Sequence, residues 1–127
     1  MTEKPLILIV DDSEDYAEIL ASKLRAAGFT IAMAKDGREG IAAARTFHPL
    51  VIILDVQMPN MDGITALTEL RKDKTFSKTN IFLISSYVDP QQGEYLKEEQ
   101  LAKSRGATDF LSKSMDLDEI TKTVTRN

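Results

Sequence analysis

The sequence predicts an α/β protein: five short strands alternating with five helices, the strands forming one parallel sheet covered on both faces. Three observations carry this expectation. Strand signals and helix signals alternate along all 127 residues. The runs Leu6–Val10, Val51–Leu54 and Ile81–Ile84 are apolar, rich in β-branched residues and uncharged, as strands buried on both faces must be. The first two of these runs stop abruptly at carboxylates, Asp11-Asp12 and Asp55, so each strand delivers acids to a sheet rim.

The elements follow in order. After the first strand, Ser13 suits an N-cap, with Glu14 and Asp15 in a first turn where the helix dipole favours acids. Tyr16, Ile19, Leu20, Leu24 and Ala27 keep helical spacing, and Gly28 ends the helix. Phe29 to Ala34 alternates large and small, as an edge strand does. A second helix runs from about Gly37 to Phe47, and Pro49 bars its continuation. The Val51 run is the third strand. Met61-Asp62-Gly63 turns into a helix carrying Ile64, Leu67 and Leu70. The Ile81 run is the fourth strand. Within Ser86 to Arg105 a fourth helix is expected from Glu94, with a poor apolar stripe, ended by Gly106. Thr108 to Ser112 forms a weaker fifth strand, and Asp116 to Arg126 a short last helix.

The most apolar strands take the middle and the patchier ones the edges, which gives the order 2-1-3-4-5 seen in flavodoxin-like proteins. In such sheets ligands bind beyond the carboxyl ends of the strands where the order reverses, here between strands 1 and 3. Asp11, Asp12 and Asp55 lie at those ends. Ser85 ends strand 4 and Lys113 follows strand 5, so both reach the same rim.

Composition narrows the function classes. The chain reads as a single domain over 1–127 with 43% hydrophobic residues, enough for a core. A net charge of −4 gives no footprint for nucleic acid or an anionic membrane. There is no cysteine, which removes disulfides and thiolate metal sites. No apolar run reaches membrane-spanning length, and Met1 to Pro5 is polar, so a cytoplasmic protein is expected.

Three carboxylates, one hydroxyl and one ammonium at one rim suit phosphoryl transfer. Hard carboxylate oxygens fit Mg²⁺, which keeps waters and phosphate oxygens in its shell. One carboxylate serves as nucleophile, while lysine and hydroxyl receive the phosphoryl oxygens. Taken singly, each residue has a plainer reading. Asp11 and Asp12 also suit helix capping, Asp55 a loop, Ser85 a turn, Lys113 a solvated edge and Phe110 plain core. His48 reads as a surface loop residue, Met58 and Met61 as loop packing, and Glu94, Glu98 and Glu99 as one solvated helix face.

The motifs taken together resemble the receiver domain of two-component response regulators. Ile9-Val10-Asp11-Asp12-Ser13 is similar to the family's acidic pair, and Leu54 to Gly63 to its phosphoacceptor loop. Leu83-Ile84-Ser85-Ser86-Tyr87 is similar to the strand ending in Thr or Ser, and Gly106 to Lys113 to the strand ending in lysine. The resemblance implies that Asp55 accepts phosphate from a histidine kinase or phosphotransfer protein. It implies that Asp12, Asp55 and the Gln57 backbone carbonyl ligate Mg²⁺, with Asp11 helping through water. Ser85 and Lys113 would bind phosphoryl oxygens, and Ser85 and Phe110 would form the switch. The surface of the fourth helix, fifth strand and fifth helix would meet a downstream protein target, with no direct nucleic-acid or membrane partner. Such a protein catalyses only its own phosphorylation and dephosphorylation and is not a turnover enzyme.

The chain departs from the family at Ser114, where proline usually follows the lysine through a cis bond, and at Ser86, where Ala or Gly is usual. A bulky Tyr87 is expected to shield the phosphate. A stretch after the fourth strand, longer by about two helical turns, is expected to select partners. No DNA-binding module is present, so direct transcriptional output is not expected, though a piece of a larger regulator or hybrid kinase would look the same. The rivals are an aspartate-nucleophile phosphohydrolase of the dehalogenase type, which wants an acid where Gln57 stands, a flavin or nucleotide module, and a degenerate scaffold receiver.

Overall fold

The computed structural model describes residues 5–86 and 92–126. In chain order the elements are β1 (Leu6–Val10), α1 (Glu14–Ala26), β2 (Thr30–Ala34), α2 (Gly37–Phe47), β3 (Val51–Asp55), α3 (Gly63–Lys72), β4 (Asn80–Ser85), α4 (Gly93–Ser104), β5 (Asp109–Ser112) and α5 (Leu117–Thr125). The strands form one sheet in the order β2-β1-β3-β4-β5, every pairing parallel. This is the flavodoxin-like arrangement expected from the alternation and from the apolarity ranking of the strands.

Burial explains the layering. Along β1, successive side chains point to opposite faces. Leu8 and Val10 join a core with Ile52, Leu54, Leu67, Leu83 and Phe110, which α2, α3 and α4 cover. Ile7 and Ile9 join Leu20, Leu24, Ile53, Ile84 and Ile120 beneath α1 and α5. A strand buried on both faces cannot afford a polar residue, so the runs are continuously apolar until the rim.

The termini of α1 show how local chemistry sets boundaries. Ser13 Oγ accepts from the Tyr16 amide at 3.4 Å. At the other end the Phe29 amide donates to the Leu24 carbonyl and the Gly28 amide to that of Arg25, with Gly28 at φ +100°. That Schellman closure uses Phe29, so β2 starts one residue later than the large–small alternation suggests. Thr108 likewise precedes β5. The Asp116 carboxylate accepts from the Asp118 amide at 2.7 Å, so Asp116 caps α5 from outside it. A 3₁₀ turn over Lys74–Phe76, too short to leave a periodic signal, buries Phe76 completely. Exposed His48 stands outside α2 in the left-handed conformation, as a loop residue.

Candidate functional site

The site lies where the strand order reverses. β1 and β3 are adjacent, in register from Ile7↔Val51 to Val10↔Leu54. Their next residues are Asp11 and Asp55, both buried, at 4% and 3% exposure. Asp12 follows on the exposed side. One carboxylate oxygen from each of Asp11, Asp12 and Asp55 lies within 4.8 Å of the other two. Convergence of three residues from two strands is a direct product of parallel register.

Lys113 comes from the opposite flank. Its backbone amide donates to the Ser85 carbonyl at 2.8 Å, which extends the β4–β5 ladder by one step. Its ammonium then reaches Asp11 Oδ2 at 2.9 Å and Asp55 Oδ2 at 3.5 Å. The following turn is stabilised by Ser112 and Ser114, whose hydroxyls meet at 2.7 Å. The Ser114 amide also donates to Ser112 Oγ at 3.1 Å. Every peptide bond among the described residues is trans. Serine hydrogen bonds hold the turn where the resemblance leads one to expect proline.

Gly63 fixes the floor of the site. Its amide donates to the Val56 carbonyl at 2.9 Å, and a Cβ built there would collide with the Asp55 carbonyl oxygen. No other residue lets α3 begin this close to the end of β3. Asp62 caps α3 by accepting from the Thr65 amide at 2.8 Å. Gln57 stands on the exposed loop two residues after Asp55.

Ser85 ends β4 and is buried; its hydroxyl donates to Glu98 Oε1 on α4 at 3.2 Å. Glu98 is therefore turned inward and half-buried, which corrects the reading of Glu94, Glu98 and Glu99 as one solvated face; Glu94 is exposed. Burial raises the Glu98 carboxyl above its ordinary value, opposed by the Ser85 hydrogen bond and reinforced by the charges of Glu94 and Asp62. Phe110 is buried on β5, edge-on to Tyr95 of α4 with ring centroids 5.0 Å apart. Met58 and Met61 pack partly buried against the core. Tyr87 and the rest of the expected insertion through Gln91 lie outside the described residues.

One further residue belongs to the site. The Lys113 ammonium sits 4.8 Å from the centroid of the Tyr16 ring. Burial, then the charges of Asp11 and Asp55, push the Tyr16 phenol up to about 12. Tyr16 Oη is buried and has no hydrogen-bond partner among the described residues. Tyr16 was visible in the sequence only as an apolar helical position.

Electrostatically the cluster is frustrated. Burial, then the negative charge of Asp11, push Asp55 up to about 7, with Lys113 pulling the other way and Asp12 adding to the rise. Asp55 Oδ1 is buried without a hydrogen-bond partner among the described residues. The group is thus costly to ionise until a cation or a phosphoryl bond relieves it. A carboxyl raised from 3.8 binds its proton more tightly when folded than unfolded. Its contribution to stability is full below pH 4 and is lost as pH rises towards 7. We expect thermal melts in chelator to fall across that window by the equivalent of a few kcal/mol, about one to three. Added Mg²⁺ should restore more stability at pH 8 than at pH 5, because metal competes with the proton. Equal restoration at both would contradict a raised Asp55.

An open parallel sheet with an acidic cluster and a lysine at its reversal point defines a class of phosphoryl-accepting α/β proteins. Within it, residues 7–125 match the response regulator receiver domain model, and the chain belongs to that family. It is 30% identical to Protein PilH of Pseudomonas aeruginosa over 118 residues, 93% of each chain. It is 34% identical to Regulatory protein AtoC of Escherichia coli over 126 residues, 99% of this chain, and spans only 26% of that protein. The chain likewise spans about a quarter of Response regulator PleD of Caulobacter vibrioides, at 36% identity over 87% of this chain and 23% of the relative. Among solved structures, chemotaxis response regulator CheY4 of Vibrio cholerae is 31% identical, with a TM-score of 0.86 over 98% of both chains.

The family settles the class of function. The chain is a receiver domain of the two-component response regulators, a family phosphorylated on aspartate, and such a domain is a signalling domain rather than a metabolic enzyme. Receiver domains typically bind Mg²⁺ at an acidic aspartate cluster such as the one present here. They interact with kinases, phosphotransfer proteins and downstream targets. No helix among the described residues is long and apolar enough to cross a membrane.

Proposed function

We propose that Asp55 is the phosphoacceptor of this receiver and that the site around it catalyses only its own phosphorylation and dephosphorylation. The observation that carries the reading is the buried Asp55 Oδ1, unpartnered among the described residues, with the Lys113 ammonium 3.5 Å from the other oxygen of the same carboxylate. A carboxylate oxygen attacks the phosphorus of a phosphohistidine on a histidine kinase or phosphotransfer protein. The P–N bond breaks and the imidazole leaves with its electron pair, to be protonated from solvent; the new P–O bond makes an acyl phosphate.

The donor set fits Mg²⁺: oxygens only, clustered, with one of them unpartnered among the described residues. Asp11, Asp12, Asp55 and the Gln57 carbonyl are the residues that would hold it, and it would supply charge neutralisation for an anion entering among carboxylates. Lys113 shifts its ammonium from the Asp55 carboxylate to a phosphoryl oxygen. Ser85 donates its hydroxyl hydrogen to another. Packing supports a switch built on Ser85 and Phe110: they lie on adjacent strands, and Phe110 presses on Tyr95 of α4. Phosphorylation adds a charge of roughly −1.5 to −2, enough to bias such a pair of packings. The α4–β5–α5 surface is the face that would then meet a downstream protein, and residues 1–127 folding as one receiver domain in the cytoplasm fit these readings.

The direct test is intact mass after incubation with acetyl phosphate and Mg²⁺. One phosphoryl increment per chain, without sustained hydrolysis of phosphate esters, is the expected result. Continuous turnover of esters would instead favour the phosphohydrolase reading.

A further inference from the structure

Ser85 at the end of β4 and Glu98 on α4 meet through their side chains. A serine hydroxyl has one hydrogen to donate. Here that hydrogen goes to the Glu98 carboxylate at 3.2 Å. An acyl phosphate at Asp55 would need it too, and would bring a second negative group towards Glu98.

The helix that carries Glu98 is lightly held. Only Tyr95 and Ala102 of its twelve residues are buried, and Gln92 provides no side-chain cap. Its C-terminal end is fixed by the Ala107 and Gly106 amides bonding back to Ala102 and Lys103, and by Lys103 lying 3.9 Å from Asp109. Its N-terminal half touches the site through Glu98 to Ser85 and Tyr95 to Phe110.

We propose that Glu98 is a positioning residue: its carboxylate holds the Ser85 hydroxyl in the resting state, and transfer of that hydrogen bond to the phosphoryl group releases the N-terminal half of α4. The inference rests on the Asp55 reading above. Glu98 thereby sets the threshold for activation, since the phosphoryl group must displace a charged acceptor to gain Ser85.

The test uses the whole chain with Mg²⁺ and beryllofluoride, a stand-in for the aspartyl phosphoryl group. Two readouts are compared, beryllofluoride affinity and amide hydrogen exchange across 93–104. Glu98→Ala should bind beryllofluoride about three- to tenfold more tightly, the scale of one competing hydrogen bond. It should also exchange faster in the first half of α4 before any addition. Glu98→Gln keeps an acceptor without the charge and should fall between. In a Ser85→Ala background, Glu98→Ala should change affinity no further. Unchanged affinity and exchange in Glu98→Ala, or the full gain persisting without the Ser85 hydroxyl, overturns the proposal. Failure of the parent protein to bind beryllofluoride at all overturns the Asp55 reading beneath it.

Discussion

Asp55→Asn should gain no phosphoryl group from acetyl phosphate and Mg²⁺ under conditions where the parent protein gains one per chain. An amide oxygen is a poor nucleophile, and the substitution also deletes one of the three carboxylates that converge at the rim. The loss should be complete within the sensitivity of intact-mass measurement. The same variant gives a second, opposite signature. Asparagine is nearly the same size but neutral, so it removes the carboxylate whose ionisation is opposed by burial and by Asp11. Without metal, Asp55→Asn should therefore melt above the parent at pH 8, and the advantage should vanish near pH 4. Phosphorylation persisting in the variant would move the acceptor elsewhere in the cluster, and a lower melt at pH 8 would refute the electrostatic account.

The largest stability effect is expected from Gly63→Ala. Helix propensity alone favours alanine by roughly 1 kcal/mol. Packing reverses the sign: the added methyl meets the Asp55 carbonyl oxygen and comes within 2.9 Å of Leu83 Cδ1. The carbonyl belongs to a fully buried strand and cannot yield, so α3 must retreat. Overpacking of this kind costs about 1–3 kcal/mol and sometimes more. A fall in Tm of roughly 5–15 °C follows. Because α3 starts against the phosphoacceptor strand, the variant should also accept phosphate more slowly. A melt equal to or above the parent would show that the loop relaxes freely.

The parts of this molecule that could be read beforehand share one property: they sit where an apolar run ends. Asp11, Asp12, Asp55, Ser85 and Lys113 were each marked by the residue at which a buried strand meets solvent, and parallel register does the rest. Strand order was legible for the same reason, since only central strands must be apolar on both faces. Tyr16 and Glu98 were not legible. Both lie on helices, where a role depends on how the helix is rotated towards the rim, and a weak stripe does not fix that rotation. Glu98 stands between Lys97 and Glu99, so its surroundings in sequence mimic a hydrated surface. Element ends moved by a residue or so because side-chain caps and glycine closures decide them, as at Phe29 and Asp116.

The strand order also has a temporal meaning. β1 is synthesised first, yet in the finished sheet it lies between β2 and β3, and Ile7 meets Val51 about forty residues further on. Until β3 arrives, one edge of the most apolar segment has no neighbour to bond. Asp11 and Asp12, which end β1, keep that waiting edge short and charged at its tip, which discourages pairing with another nascent chain. Carboxylates placed for chemistry would thus also guard assembly, and their replacement by apolar residues would be felt in refolding yield before it is felt in the melting curve.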